Sequence, residues 1–393
     1  MDIFDKCLQY SAAREMKAAG LYPYFLPLED TEGTEVTIGG RRILMIGSNN
    51  YLGLTTDPRV RQAAIDAVNQ FGTSCTGSRF LNGTLALHQE LEERLADYVQ
   101  KQAGLVFSTG YQVNLGVISS VVGRGEVVVT DKEDHASIVD GCKLSFGATR
   151  RYNHNDMPHL ERVLEMIEEE TGRMVVVDGV YSMGGDLAPL PEIIPICQKH
   201  HARLMVDDAH SLGVMGGGRG TAAHFGVTDR VDLIMGTFSK SFASLGGFIA
   251  GDADVIHYIQ HHARSLIFSA SMPAPNVAAV LAALEIMKAE PERIDNLWRV
   301  TERMRAGLQR LGFDTGVSVT PIIPIVIGGM EKTFTAWKMC FERGVYANAV
   351  VSPAVPPEMC LLRTSYMATH TDEQIDRALN VIGEVGRELD LIA

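Results

Sequence analysis

The sequence predicts an α/β fold: a mostly parallel central sheet, followed by a smaller C-terminal α+β domain. Three observations carry that prediction. Short β-rich apolar runs recur at residues 104–108, 127–131, 174–178, 204–208 and 232–236. Helical stretches, such as 158–170 and 191–201, separate several of them, the pattern of strands buried on both faces and joined by crossover helices. Finally, each run is followed by polar residues with chemical potential: Thr109-Gly110-Tyr111, His135, Tyr181-Ser182, Asp207 with His210, and Thr237-Phe238-Ser239-Lys240. In open α/β sheets ligands bind beyond the carboxyl ends of the strands, and five strands address that one rim.

A chain of 393 residues exceeds what one core supports, so a large domain with a smaller one is expected. The division placed on the sequence is an N-terminal arm over 1–45, a large domain over 46–275 and a small domain over 276–393. A net charge of −13 without a basic run argues against nucleic-acid binding. No apolar stretch approaches the roughly 18 residues of a membrane span, and Met1-Asp2-Ile3-Phe4-Asp5-Lys6 lacks a signal-peptide pattern. A cytoplasmic protein is expected, with peripheral contact to a membrane surface left open. Six scattered cysteines form no C-x-x-C pair, so reduced thiols are expected and no metal site. The pairs His200-His201 and His261-His262 sit in polar helical stretches and read as solvated.

In chain order, residues 4–19 read as a helix, 22–27 as extended, and Gly39-Gly40 as a hairpin turn leading into a strand over 41–46. Asp57 and Pro58 suit the cap and first position of a helix over 58–71. Residues 72–79 form a Gly/Ser/Thr-rich loop, and Leu87, Leu91 and Leu95 mark an amphipathic helix over 85–100. A helix over 112–122 follows Gly110-Tyr111. The glycine-rich stretch 213–220 fits neither G-x-G-x-x-G nor a Walker loop and reads as a flexible loop. Beyond 276 come helices over 276–289 and 293–311, strands over 322–327, 345–350 and 361–365, and a last helix over 372–389.

The stretch from Gly236 to Phe248 holds the sharpest candidate. An apolar strand runs into Thr237, Ser239 and Lys240, and Lys240 is flanked by Ser, Phe and Leu. Partial desolvation lowers a lysine's pKa and frees its amine for Schiff-base chemistry. Taken alone, Lys240 is one cation among 35 lysines and arginines, and most such residues are surface groups. Its neighbours change that reading. Asp207 ends an apolar strand, and alternation sends Asp207 and Asp208 to opposite faces. His135 precedes a helical stretch. Gly110 and Tyr111 open a helix whose free N–H groups favour an anion, and Thr237 and Ser239 add hydroxyl donors. A Schiff-base lysine, an acid for a pyridine nitrogen and a phosphate cradle are what pyridoxal 5′-phosphate (PLP) requires.

From about Tyr22 to its end the chain resembles the α-oxoamine synthases, fold-type I PLP enzymes that condense an amino acid with an acyl-CoA and release CO2. The motifs are Asn50-Tyr51-Leu52-Gly53, Thr76-Gly77-Ser78-Arg79, Phe107-Ser108-Thr109-Gly110, Asp134-His135-Ala136-Ser137-Ile138, Asp207-Asp208-Ala209-His210 and Gly236-Thr237-Phe238-Ser239-Lys240. The resemblance implies that Lys240 binds the cofactor aldehyde, Asp207 pairs with the ring nitrogen, His210 bonds the phenolic oxygen, and His135 stacks on the ring and contacts the substrate carboxylate. It assigns the phosphate to Gly110, Tyr111, Thr237 and Ser239, with Ser271 from the other subunit, and sets Ser182 near the ring. Ser78, Asn50 and Arg363 are assigned to the substrate. Gly246-Gly247 would let the backbone pass close beneath the ring. The implied reaction joins L-serine to a long-chain acyl-CoA such as palmitoyl-CoA, giving 3-oxosphinganine, CoA and CO2, in a homodimer with sites at the subunit interface. Glycine C-acetyltransferase and 8-amino-7-oxononanoate synthase chemistry are the alternatives within the family.

Overall fold

Val, Ile, Leu and Met fill the runs that become the central sheet of this protein, whose computed structural model describes residues 2–393. Residues 49–298 form one unit, and residues up to 48 together with 299–393 form the other. The larger unit carries seven strands: β1 (Ala103–Phe107), β2 (Val127–Asp131), β3 (Ala148–Tyr152), β4 (Arg173–Asp178), β5 (Arg203–Asp207), β6 (Leu233–Thr237) and β7 (Gly247–Gly251). Their order in the sheet is β1-β7-β6-β5-β4-β2-β3. The pairs from β6 through β3 are parallel, and β7 alone runs antiparallel, between β1 and β6. Strands β2, β4, β6 and β7 are buried along their whole length, as continuous apolar runs require.

Strand β3 is the one the sequence reading missed. Its residues Ala-Thr-Arg-Arg-Tyr are exposed except Tyr152, because an edge strand pairs on one side only and carries charge outward. The helix Pro58–Phe71 has the expected start, with the Asp57 carboxylate accepting the Arg59 N–H at 3.0 Å. The stretch 213–220 is not a flexible loop. Val214, Met215 and Gly218 are buried, Gly213 N–H donates to Gly218 at 2.8 Å, and Trp298 Nε1 donates to the Val214 carbonyl at 3.1 Å.

In the smaller unit, Asp30–Glu32, Glu35–Ile38 and Arg41–Met45 form an antiparallel meander joined in parallel by Val345–Tyr346. That last pairing makes residues 41–45 part of a domain rather than of an arm: Leu44 N–H donates to Gly344 and Ile46 N–H to Tyr346, each at 2.9 Å. A three-stranded antiparallel sheet orders Ile322–Val326, Leu361–Ser365 and Asn348–Val350. Its core gathers Leu44, Ile46, Met304, Leu308, Ile323, Ile325, Phe334, Trp337 and Ile375. The helix Ala274–Ala289, placed with the small domain from sequence, groups with residues 49–298. The expected helix over 4–19 is two, Asp5–Leu8 and Ala12–Ala18, with the Ser11 carbonyl starting the second. No helix among the described residues is long and apolar enough to cross a membrane.

Phe248 of β7 is fully buried and stacks on Phe238 with ring centroids 5.8 Å apart. Phe248→Ala is expected to lower stability by about 3–5 kcal/mol. Phe25, 94% exposed, should tolerate the same change within about 0.5 kcal/mol. Urea midpoints of the two variants check the contrast.

Candidate active site

The register of three strands sets the stage. Gly247 pairs with Thr237 on one side and with Phe107 on the other, so β1, β6 and β7 end at one level. Between Thr237 and Gly247 the chain must turn back within nine residues. Phe238 and Phe242 plug that turn into the core, both fully buried and edge to face at 5.5 Å. Phe238 N–H donates to Gly246 and Ser244 N–H to Phe238, each at 2.9 Å. Lys240, between the two phenylalanines, lines a cavity of about 340 Å³.

The same cavity is lined by Thr109, Gly110, Tyr111, His135, Ser182, Asp207, His210, Thr237 and Ser239, so every strand end singled out in the sequence contributes. Gly110 begins the helix Gly110–Val121, with Thr109 Oγ1 accepting the Gln112 N–H at 3.1 Å. A Cβ on Gly110 would stand 2.6 Å from Thr237 Oγ1, and one on Gly247 would stand 2.7 Å from the Gly110 Cα. Only glycine permits this approach, which sets the helix N-terminus flush against the sheet. Thr237 Oγ1 and Ser239 Oγ lie 3.0 Å apart there, so hydroxyls and free N–H groups converge.

Asp207, which also lines the cavity, is 4% exposed. It accepts from Asn114 Nδ2 at 2.7 Å and from the Ala209 N–H at 3.0 Å. Asp208 faces away, as alternation requires, and is bonded to Ser211 and to the Thr221 N–H. Burial pushes the Asp208 carboxyl up to about 6, against the opposing hydrogen bonds of Ser211 and Thr221. His210 Nδ1 lies 2.7 Å from the Tyr51 hydroxyl. Burial lowers the pKa of His135, with Asp207 opposing and Lys240 reinforcing, which favours the neutral imidazole. Its backbone N–H donates to Asp178 Oδ2 at 3.0 Å.

The chain is similar to known proteins over nearly its whole length. Residues 41–382 match the family model for aminotransferase class I and II. The serine palmitoyltransferase of Sphingobacterium spiritivorum is 53% identical over 98% of this chain and 97% of its own length. An 8-amino-7-oxononanoate synthase of Symbiobacterium thermophilum is 43% identical over 96% and 97%. Among solved structures, a serine palmitoyltransferase from S. paucimobilis with bound PLP-myriocin aldimine superposes with a TM-score of 0.96 at 34% identity, covering 100% of both chains. The chain belongs to the class I and II aminotransferase family. Its fold is the fold-type I arrangement of these PLP-dependent enzymes, on the α-oxoamine synthase branch.

The cavity fits the family's cofactor. It offers an amine at Lys240, a buried carboxylate at Asp207 and a donor-rich end that a single added Cβ at Gly110 would fill. Gly246, at φ +129°, lets the chain re-enter β7 where a Cβ would meet Met272 and Phe238.

Four of the sequence-derived residues are not among those lining the cavity. Asn50 is buried and donates to Thr55 Oγ1 at 2.8 Å. Ser78 forms an isolated bridge with Ala270, and Ser271 Oγ donates to the Gly77 carbonyl at 3.0 Å. Arg363, in the smaller unit, is 5% exposed on the strand Leu361–Ser365. Tyr181, expected at the rim, packs edge to face on His154 at 4.4 Å. Sequence reasoning passed over Asn114, Ser137 and Tyr51. The first was detectable as a lone amide on the apolar face of its helix, and the others lay inside quoted motifs. Among the described residues, Glu161, Glu165 and His200 have metal-ligand spacing, but Lys199 Nζ already sits 2.5 Å from Glu161.

Behind the cavity His154 bridges two carboxylates, with Nδ1 3.0 Å from Asp131 and Nε2 2.8 Å from Asp186. Burial opposes its charge, yet the hydrogen bonds to Asp131 and Asp186 prevail and raise its pKa to about 10. In the unfolded chain a histidine titrates near ~6.5, so the folded state holds this proton more tightly. Stability from the bridge is full below about 6.5 and is lost as pH rises through about 10. His154→Gln should lower the urea midpoint at neutral pH and flatten its decline over that alkaline window; a variant with the wild-type slope would refute the assignment.

Proposed function

We propose that this chain condenses L-serine with a long-chain acyl-CoA, palmitoyl-CoA in the first instance, to give 3-oxosphinganine, CoA and CO2, the first committed step of sphingolipid synthesis, in the cytoplasm. The observation that carries this reading is the full-length 53% identity to a serine palmitoyltransferase, against 43% to an 8-amino-7-oxononanoate synthase. The cavity supports it where Lys240, Asp207, His210 and His135 line one space.

PLP, when bound, supplies a sink for the electron pair left on the substrate's α-carbon when its proton departs. Lys240 Nζ would hold the cofactor and accept the α-proton, since its amine is released beside the substrate's α-carbon. Asp207, held by Asn114 and the Ala209 N–H, would keep a proton on the ring nitrogen. His210, backed by the Tyr51 hydroxyl, would bond the phenolic oxygen. His135 would cover one ring face with Ser182 nearby, and Gly110, Tyr111, Thr237 and Ser239 would hold the phosphate. Ser78 and Arg363 are assigned to the substrate carboxylate, and Asn50 to the substrate, on the motif resemblance alone.

The test is spectroscopic. Titration of the purified protein with L-serine, glycine and L-alanine, followed by acyl-CoAs of increasing length, should show a cofactor-band shift with serine and CoA release with long chains. Lys240→Ala should retain the fold and lose at least about 100-fold in turnover. A preference for glycine with acetyl-CoA, or normal turnover by Lys240→Ala, would overturn the reading.

A homodimer completes the proposal, with Ser271 of a second copy reaching the phosphate. Its support is the apolar surface beside the Ser78–Ala270 bridge, where Phe80, Leu81 and Phe268 are 56%, 78% and 73% exposed. Leu81→Asp should shift sedimentation from dimer to monomer and weaken PLP retention. An unchanged dimer would place the interface elsewhere.

A further inference from the structure

Beneath the cavity, side chains from three elements form one unbroken chain of hydrogen bonds. Asn114 is fully buried, and its Nδ2 donates to Asp207 Oδ2 at 2.7 Å and to Ser137 Oγ at 2.8 Å. Ser137 Oγ lies 2.7 Å from His135 Nδ1, and the Ser137 backbone N–H donates to the same nitrogen at 3.2 Å.

The directions of these bonds are not interchangeable. Reversing the amide would set a carbonyl oxygen 2.7 Å from the Asp207 carboxylate. The buried Asn114 Oδ1 has no hydrogen-bond partner among the described residues, so the amide gives up its acceptor to commit both donors. Ser137 Oγ accepts one of those hydrogens and keeps a single hydrogen to donate. His135 Nδ1 then receives both an O–H and an N–H, which leaves no place for a proton of its own.

We propose that Asn114 and Ser137 are positioning residues through which the Asp207 carboxylate fixes His135 as the neutral imidazole with its proton on Nε2. The ring then has one hydrogen-bonding nitrogen free of this chain, and that nitrogen is a donor. A histidine free to exchange tautomers would offer either a donor or an acceptor to a substrate carboxylate, and only the first is attractive. The same chain resists the imidazolium, because a proton on Nδ1 must displace both Ser137 donors.

The groups around the ring pull in both directions, and the neutral form prevails. Burial and Lys240 oppose the imidazolium, Asp207 favours it, Asp178 takes the backbone N–H, and Tyr111 stands edge to face at 6.4 Å. Asp134 and Asp178 are held well above the usual carboxylate range by burial, which reduces the negative charge behind the ring.

The test uses the holoenzyme labelled with 15N-histidine, with the His135 signals assigned through His135→Asn. In the wild type, ring-nitrogen spectra should show a proton on Nε2 alone across neutral pH. Ser137→Ala should show exchange between the two nitrogens and move the acid limb of serine binding to higher pH. It should also weaken serine binding by about 3- to 10-fold, the loss expected for one hydrogen bond. Ser137→Thr, which keeps the hydroxyl, should restore both. Asn114→Leu, similar in volume but without donors, should reproduce the spectral change of Ser137→Ala. A Ser137→Ala protein that keeps the lone Nε2 proton, or a folded Ser137→Thr that fails to restore it, overturns the proposal. Only the serine-binding arm rests on the substrate reading above. A wild type that ignores serine yet shows the Nε2 proton would overturn that reading and support the relay.

Discussion

The site depends on a backbone contact that side chains could not make. Gly247 lies against Gly110 closely enough that a Cβ on it would come within 2.7 Å of the Gly110 Cα. That contact is possible because β7 enters the sheet antiparallel between β1 and β6, ending level with both. Two consequences follow from this one constraint. The helix Gly110–Val121 starts against the sheet, so its free N–H groups and the hydroxyls of Thr237 and Ser239 share one end of the cavity. The chain must also return from Thr237 to Gly247 in a short turn, and buried Phe238 and Phe242 leave Lys240 between them on the cavity side. The anion cradle and the amine therefore come from the same register, and their separation is fixed by it.

The opposite wall poses an electrostatic problem. Asp131, Asp134, Asp178 and Asp207 are all nearly inaccessible to water, and four buried carboxylates in one region cannot all carry charge at moderate cost. The structure meets this in three ways. His154 brings a compensating positive charge to Asp131 and Asp186. Asp134 and Asp178, pushed up by burial, accept backbone N–H groups from Asp131, Asp178 and His135 and thereby order the loop that presents His135. Asp207 receives donors at both of its oxygens, from Asn114 and from the Ala209 N–H. Of the two carboxylates that line the cavity, Asp178 is pushed up by burial and accepts the His135 N–H, while Asp207 has a donor at each oxygen.

Much of this was legible in the sequence, for identifiable reasons. Strands β2, β4, β5 and β6 announced themselves because burial on both faces demands continuous apolar residues, and the polar residues after them marked the rim. The motif resemblance then named Lys240, Asp207, His210 and His135 together, and the structure brings them to one cavity. Strand β3 was invisible because an edge strand has no need of an apolar run. The grouping of 41–45 with the smaller unit was hidden because it rests on a two-residue parallel pairing with Val345–Tyr346, far away in sequence. Asn114 and Ser137 escaped because their importance lies in whom they touch, and a buried amide looks the same in sequence whether it bridges a carboxylate or caps a turn. The expectation that 213–220 is flexible failed because glycine content reports conformational freedom available to the chain, while burial of Val214 and Met215 decides whether that freedom is used.

The size of the cavity separates chemistry from selection. About 340 Å³ stands near the lower end of the ~300–1,000 Å³ spanned by small-molecule pockets, room for a cofactor and an amino acid rather than for a long acyl chain as well. The lining matches that division: hydroxyl, imidazole, carboxylate and amine groups stand beside Val180, Ala209, Met235 and Leu245, too few apolar side chains to cover a long acyl chain. A long acyl chain needs apolar surface, and the gain in free energy from burying it scales with the area covered. Recognition of acyl length must therefore be made beyond the residues that hold the reacting atoms, by side chains that no catalytic motif marks. The close-packed parts of the site, the Gly110–Gly247 contact, the pinned Lys240 turn and the Asp207–Asn114–Ser137–His135 chain, serve the reacting atoms and not the length of the acyl chain.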